Sequence, residues 1–330
     1  MSAILSWLLE EDEPCVRYQA LHDLHAAQAG PWEIAEASRQ AHQGKRISGI
    51  LAKMQPEGFW VKPGAGYSPK YQSSVWALIL LAELGAHKYR DERIELAMDY
   101  YRKHAFDRFG KISCSQDRPQ TFDCLQGNMV WALQRLGMPR ADLAEQIDWL
   151  ASSQTGEGVA PAGDKLADRR YGIGKCGPNF LCTHNWEQTC AWGAIRVMMA
   201  LGEIPFRERS QTVQKAIALG RDYLLQVYPL HPLWSGDRKI GPSWHPFTFP
   251  LFYRSDILHL AEALTAIGAI DDPRAEPFLN YILSKRNPDG SWSLQASQPN
   301  LGGSIGPVGK HNKWITLRAL RVLQAVGRKA

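Results

Sequence analysis

The sequence lacks several features that would assign a chain to a class of protein by inspection. No apolar run approaches the ~18 residues of a membrane-spanning helix. No block of Lys or Arg of the kind that binds nucleic acid is present, although 38 basic against 33 acidic residues give a net charge of +5. There is no GxxxxGK[ST] string, and no GxGxxG follows a predicted strand. These absences argue against a transmembrane protein, a nucleic-acid partner and a nucleotide enzyme, while peripheral membrane contact and the oligomeric state stay open.

The first residues also lack the pattern of a secretory signal. Residues 1–13 contain an apolar stretch but neither a basic segment before it nor a small-residue cleavage site after it, and residues 10–13 are all acidic. We therefore expect a cytoplasmic protein. In that compartment the six Cys are expected to be reduced, buried or metal-bound rather than disulfide-bonded.

What the sequence does contain is an internal repeat. Five largely apolar segments of helical length end in Gly, the residue best able to take the left-handed turn that closes a helix. They are 71–85, 123–137, 188–202, 254–268 and 313–327. Amphipathic segments alternate with them, at 91–104, 140–154, 209–226 and 272–286.

This alternation predicts an all-α fold, an α/α toroid in which inner helices are walled by outer ones. Residues 15–24 repeat the apolar spacing of residues 314–323 and are expected to supply a sixth pair. Six inner and six outer helices would then close a ring over a single domain, residues 1–330. An open superhelix of helix pairs is the alternative.

Turns that combine Gly with an aromatic residue precede some of the apolar segments, as in 57–60 (EGFW) and 289–292 (DGSW), and Gln154 ends an amphipathic helix. These motifs resemble the QW-type repeats of squalene cyclases and prenyltransferase β-subunits. Residues 249–264, 284–292 and 311–323 are similar to bacterial proteins with prenyltransferase/squalene-oxidase repeats. The resemblance implies membership of the terpenoid cyclase/protein prenyltransferase superfamily and a central cavity that holds an isoprenoid.

Cysteines occur in equivalent loops of two consecutive repeats. Cys114 and Cys124 flank the loop before one apolar segment, and Cys176, Cys182 and His184 lie in the loop before the next. Four of these five side chains would suit tetrahedral Zn²⁺, either as a closed structural site or, with His184 or water as a ligand, as an open one. Packing as small hydrophobic residues, or a disulfide, are the alternatives.

Acidic residues begin several of the apolar segments. Asp256, Asp123 and Glu187 would converge on one mouth of the ring. There they are candidate catalytic residues, able to hold Mg²⁺ and a diphosphate or to act as a general acid if they stay protonated. The alternative is that acids are favoured at any helix N-terminus by the helix dipole.

Aromatic residues lie on or beside the same segments and form a candidate cavity lining, because aromatic faces stabilise carbocations. They are Trp76, Trp131, Trp192, Phe252, Tyr253 and Trp314. Packing of inner against outer helices is the alternative. Trp60, Trp234 and Trp292 are assigned to structural turns, and His245, His259 and His311 are left out of the predicted site.

Taken together, the residues and the resemblance predict an isoprenoid-handling protein, cyclase-like or prenyltransferase-like if it is an enzyme, with a hydrophobic small-molecule ligand. A non-catalytic, zinc-braced toroid that binds a lipid or a partner peptide is the alternative. A polysaccharide lyase is a third possibility, since some lyases are helical toroids, but the apolar segments count against its open, polar groove.

Overall fold

The chain folds into helices joined by loops and turns, as the alternating segments predict. The structure is a computed structural model that describes residues 2–114, 122–160, 163–164, 166–167, 169–170, 189–226 and 244–328. The α-helices of these residues are α1 (Ala3–Leu8), α2 (Pro14–Asp23), α3 (Pro31–Gln43), α4 (Lys45–Leu51), α5 (Ser74–Glu83), α6 (Glu92–Ala105), α7 (Asp123–Arg135), α8 (Ala144–Thr155), α9 (Ala191–Gly202), α10 (Gln211–Gln226), α11 (Ile257–Ala266), α12 (Glu276–Ser284) and α13 (Lys313–Ala325). β-Structure within the same ranges is confined to isolated bridges.

Six of these helices, α2, α5, α7, α9, α11 and α13, form an inner layer. In α5 every residue from 74 to 82 is buried, which a helix achieves only when other helices surround it. The remaining helices pack outside. Helix α6, for example, buries Ile94, Ala97, Met98 and Tyr101, whose spacing places them on one face, and turns its charged face outward.

The inner helices close into a ring. Helix α5 packs on α7, α7 on α9, α9 on α11, α11 on α13, and α13 on α2. Contact between α2 and α5 completes the circle, because Gln19 Nε2 donates to the backbone oxygen of Glu83 at 3.1 Å. The prediction of an α/α toroid is confirmed, and the open superhelix is excluded.

The Gly/Trp turns tie an outer helix to the next inner helix. The indole Nε1 of Trp60 donates to the carbonyl of Ile50 at 2.9 Å, and its backbone N–H donates to Ser74 Oγ at 3.0 Å. Trp292 repeats both bonds, to Ile282 at 2.7 Å and to Thr316 Oγ1 at 2.9 Å. Both indoles are buried, so these two tryptophans are structural anchors, as predicted; Trp234 lies outside the described residues.

Four of the five repeat glycines close their helices with a left-handed turn. Their φ angles are 80° for Gly85, 98° for Gly137, 75° for Gly268 and 65° for Gly327. The prediction is wrong for Gly202, which remains helical as the last residue of α9. A Cβ atom there would lie 2.7 Å from the Cβ of Ala266, so this glycine permits close packing of α9 against α11.

Within the ranges described above, no helix is both long enough and apolar enough to cross a lipid bilayer.

Candidate functional site

The ring encloses a cavity of about 490 Å³, within the ~300–1,000 Å³ typical of small-molecule sites. All six inner helices contribute to its wall. Among the described residues, four carboxyl groups line it, from Asp23, Glu83, Glu203 and Glu262. Four guanidinium groups line it as well, from Arg135, Arg196, Arg318 and Arg321. The centre of an otherwise apolar ring is therefore strongly charged.

The lining residues share positions in the repeat. Six residues before the closing glycine of four of the five segments stand Trp131, Arg196, Glu262 and Arg321. One helical turn earlier stand Asn128, His259 and Arg318. Residues three or four apart lie on one face of a helix, so this register points a polar stripe of each helix into the ring.

Ion pairs satisfy most of the charges in the wall. The pairs are Arg318 with Glu262 (Nη2 to Oε2, 2.6 Å), Arg135 with Glu203 (Nη1 to Oε1, 3.8 Å) and Arg321 with Asp23. Near the C-terminal ends of the inner helices, the side chains of Asp23, Arg135 and Arg321 are partly exposed. Arg318 is buried and lies deeper in the ring.

Glu83 is the acid of the wall that forms no ion pair within the described part of the chain. Its Oε1 accepts from the backbone N–H of Leu251 at 3.3 Å, and its Oε2 is buried without a hydrogen-bond partner. Burial raises the pKa of Glu83 to about 7, although the charges of Arg196 and Arg318 act against this shift. Glu83 therefore gains and loses a proton near neutral pH.

Arg196 is the base of the wall that lacks a carboxylate partner, again among the residues described. It is only 3% exposed. Its Nη2 donates to the carbonyl of Arg254 at 2.5 Å, while its Nε is buried without an acceptor. Desolvation lowers the pKa of Arg196 to about 10, partly offset by Glu83, so the guanidinium still carries its charge at neutral pH.

Asp256, predicted as catalytic, is the buried N-cap of α11 and stands behind the wall rather than in it. It accepts hydrogen bonds from the backbone N–H of His259 at 2.7 Å and of Thr248 at 2.8 Å. It also lies 3.5 Å from Arg318. Burial raises the pKa of Asp256, while Arg318 and the two amides oppose the rise. In this position Asp256 helps to orient Arg318.

Asp123, the second predicted acid, does not line the cavity with the described residues of the wall. Asp123 is the buried first residue of α7, and it accepts from Ser153 Oγ at 2.9 Å and from Gln154 Nε2 at 3.4 Å. Gln154 thus joins the outer helix α8 to α7. Glu187 lies outside the described residues.

The predicted aromatic lining divides into separate groups. Trp131 and Trp314 line the cavity, and Trp314 stacks on Phe249 with ring centroids 4.4 Å apart. Trp76, Phe252 and Tyr253 instead pack together near the starts of α5 and α11, where the ring centroids of Phe252 and Tyr253 lie 5.6 and 5.2 Å from that of Trp76. Trp192 lies beside Trp244 at 6.3 Å.

The predicted zinc ligands fall largely outside the described residues, which include neither Cys176, Cys182 nor His184. Cys114 and Cys124 are both half-buried, and desolvation raises the pKa of the Cys114 thiol. Where the structure does describe side chains, no three His, Cys, Asp or Glu residues form a group able to hold a metal ion. The zinc site therefore stays a prediction.

His259 was missed by the sequence analysis, although it lines the cavity. Its Nδ1 lies 3.1 Å from Ser255 Oγ, and burial lowers the pKa of His259 well below its usual value, with Arg196 and Arg318 adding to the shift. It is therefore a neutral imidazole at physiological pH. Its position in the repeat could have identified it. His259 lies nine residues before the closing Gly268, as Arg318 lies nine residues before the closing Gly327.

Comparison with known proteins gave one kind of match. No protein-family model and no curated protein matches the sequence. Among solved structures, the chain is similar to the GH76A alpha-1,6-mannanase from Salegentibacter sp. HEL1_6, with 11% sequence identity, a TM-score of 0.48 and coverage of 96% of this chain and 89% of that one. At this level of likeness, neither residues nor activity are transferred from the mannanase.

The charged wall of the cavity corrects the predicted family. The sequence motifs implied a terpenoid cyclase or prenyltransferase whose cavity holds an isoprenoid, and that assignment is wrong. The predicted isoprenoid ligand and enzyme type fail with it. The physical reason lies in the wall, where an isoprenoid chain would face four carboxyl and four guanidinium groups without offering them a hydrogen bond.

Proposed function

We propose that the protein is a carbohydrate-active enzyme that binds a sugar in its central cavity and hydrolyses a glycosidic bond, with Glu83 as the proton donor. The observation that carries this proposal is a set of unsatisfied polar atoms on residues that line the cavity. Two are acceptors, Glu83 Oε2 and Asn128 Oδ1, and three are donors, Arg196 Nε, Trp314 Nε1 and Arg321 Nε.

Such a mixed set favours a ligand rich in hydroxyl groups. A hydroxyl both donates and accepts, so one sugar ring can satisfy donors and acceptors together. An unsatisfied buried polar group costs about 1–3 kcal/mol, which a bound sugar would recover at several positions after small side-chain movements. A hydrocarbon ligand would recover none of it.

Aromatic and apolar parts of the wall suit the same ligand. Trp131 is partly exposed in the cavity, and Met199 and Leu251 also line it. The C–H groups on the faces of a sugar ring pack well against the electron-rich face of an indole. The cavity therefore offers both the flat apolar surface and the polar edges that a carbohydrate needs.

The chemistry follows from the carboxyl groups. Glycosidases use one acid with a raised pKa to protonate the leaving oxygen and a second carboxylate on the other side of the bond. Glu83 has the first property, and Glu262, which acts electrostatically on Glu83, is the candidate for the second role. As the C–O bond breaks, the Glu83 proton moves to the leaving oxygen, and water adds to the sugar carbon while losing a proton to Glu262.

This proposal is tested by incubating the purified protein with a panel of neutral and acidic oligosaccharides and measuring new reducing ends. The Glu83→Gln variant keeps the size of the side chain but cannot donate an acidic proton, and we expect its rate to fall by about 10²–10⁴-fold. Glu95→Gln is the matched control, because Glu95 pairs with Lys88 on the outer surface. Equal rates for wild type and Glu83→Gln would refute the role of Glu83.

A further inference from the structure

Arg196 differs from the other three arginines that the described residues place in the cavity wall. The guanidinium groups of Arg135, Arg318 and Arg321 each lie within 4.0 Å of a carboxylate of the wall, whereas Arg196 has no carboxylate at that distance in the residues described. Among the same residues, its acceptor is the carbonyl of Arg254. A buried charge without a counter-ion is costly, so its presence at the centre of a ligand cavity calls for an explanation.

Glu83 compensates this charge only in part. The two groups interact through space, since each shifts the pKa of the other, but they do not form an ion pair. With a pKa of about 7, Glu83 is neutral in a large fraction of molecules at physiological pH. In those molecules, which are the ones able to donate a proton, Arg196 is left without a negative neighbour in direct contact.

We propose that the substrate itself supplies the missing charge: the sugar carries an anionic oxygen group, a carboxylate or a phosphate, that binds the guanidinium of Arg196. This inference rests on the proposed function and names its substrate class, an acidic sugar. A planar guanidinium is well suited to both groups because it donates parallel hydrogen bonds to two of their oxygens.

The surroundings of Arg196 support a role in recognition. The bond from Nη2 to Arg254 fixes the guanidinium in place, so little conformational entropy is lost when an anion binds. Arg196 and the partly exposed Trp131 also hold the same register on the adjacent helices α9 and α7. A sugar stacked on Trp131 would therefore present a charged substituent towards Arg196.

An acidic sugar would also favour the proposed chemistry. Arg196 is one of the two charges that lower the pKa of Glu83. An anion bound to Arg196 cancels that influence, so Glu83 holds its proton more firmly once the substrate is seated. The same contact that selects the substrate thus keeps the acid in its protonated form.

The test compares three probes by isothermal titration calorimetry: glucuronate, glucose 6-phosphate and glucose. We expect at least one of the two anions to bind about tenfold or more tightly than glucose, equivalent to ~1.4 kcal/mol, with the better anion identifying the group. In Arg196→Gln this preference should vanish while glucose affinity changes little. Arg39→Gln, in which an arginine of α3 that pairs with Glu36 outside the cavity is replaced, is the matched control and should keep the preference.

The possible failures are distinguishable. If glucose binds as tightly as both anions to the wild-type protein, the acidic-sugar inference is overturned and the carbohydrate proposal stands. If none of the three probes binds, or if inorganic phosphate binds as tightly as the anionic sugars, the sugar is not being recognised and both proposals fail. The comparison of probes on the wild-type protein decides the question even if Arg196→Gln does not fold.

Discussion

Arg321 in the last inner helix pairs with Asp23 in the first, so the two ends of the repeat are joined at the rim of the cavity. Arg321 Nη2 also donates to Gln19 Oε1 at 2.8 Å, on the same first helix. The contact between the two ends of the repeat is therefore partly electrostatic and lies beside the proposed site.

We predict that Asp23→Asn lowers the free energy of unfolding by about 1–2 kcal/mol at neutral pH, as expected for a partly buried charged hydrogen bond. Desolvation of the carboxylate opposes the shift, but Arg321 and His22 hold the pKa of Asp23 below its ordinary value of 3.8. Since the folded state lowers this pKa, the contribution is complete at neutral pH and is lost as the pH falls below that value. Urea denaturation of both proteins at several pH values measures it; a difference that grows on acidification would contradict the assignment.

The pH dependence of catalysis should report Glu83. Because the protonated form is the active one and its pKa is about 7, the rate on an identified substrate should fall by about tenfold per pH unit well above that value. A pH–rate profile of the wild-type protein checks this. A rate that stays constant or rises through the same range would remove Glu83 as the acid.

Binding of an acidic sugar should be coupled to proton uptake. If glucuronate on Arg196 raises the pKa of Glu83, then binding at pH 7 should take up at most about half a proton, because about half of the Glu83 side chains are already protonated. Calorimetry in two buffers of different ionisation enthalpy measures the uptake. The Glu83→Gln variant should bind without it, and equal uptake by that variant would assign the proton to another group.

Two glycines offer a matched pair for the packing of the ring. Gly202→Ala should destabilise the fold by about 1–3 kcal/mol, because the new Cβ meets Ala266 at 2.7 Å between helices α9 and α11. Gly49→Ala, in helix α4 with open space around the position, should raise stability by about 0.5–1 kcal/mol. Thermal unfolding of both variants compares them, and similar effects of the two substitutions would contradict the close approach at Gly202.

Zinc is predicted by the cysteine pattern of the sequence. Protein purified without added metal is expected to contain one zinc per chain, which Cys176→Ser and Cys182→Ser should lose together with a lowered melting temperature. Cys15→Ser is the control, because Cys15 is buried at the start of α2 and belongs to none of the predicted ligand loops. Metal analysis that finds no zinc in the wild-type protein would end this hypothesis.

Much of the architecture could be predicted because it depends on patterns that every repeat shares. An apolar segment such as 71–85 indicates a buried helix by its own composition. The alternation of such segments with amphipathic ones indicates two layers of helices. Closure of the ring was harder to predict from the sequence, because contacts between its two ends, such as Arg321 with Asp23, leave no repeating pattern in the sequence.

The site could not be predicted by the same means. Carboxylates were sought at the starts of the inner helices, where Asp256 proves to cap α11 and to hold Arg318. The cavity wall uses instead the later turns of those helices, through isolated charges such as Glu83 and Arg196 within apolar segments. A charged residue in such a segment should have been the clue, because burial makes it costly unless it faces a cavity or a partner.

Water labelled with oxygen-18 tests the central claim most directly. Wild-type protein and Glu83→Gln are incubated with the oligosaccharide panel in the labelled water, and the masses of the products are measured by mass spectrometry. We predict that each wild-type cleavage adds one labelled oxygen to a new reducing end and that Glu83→Gln yields almost none. Undiminished labelling by Glu83→Gln, or unlabelled products that carry a new double bond as in an elimination reaction, would contradict hydrolysis by Glu83.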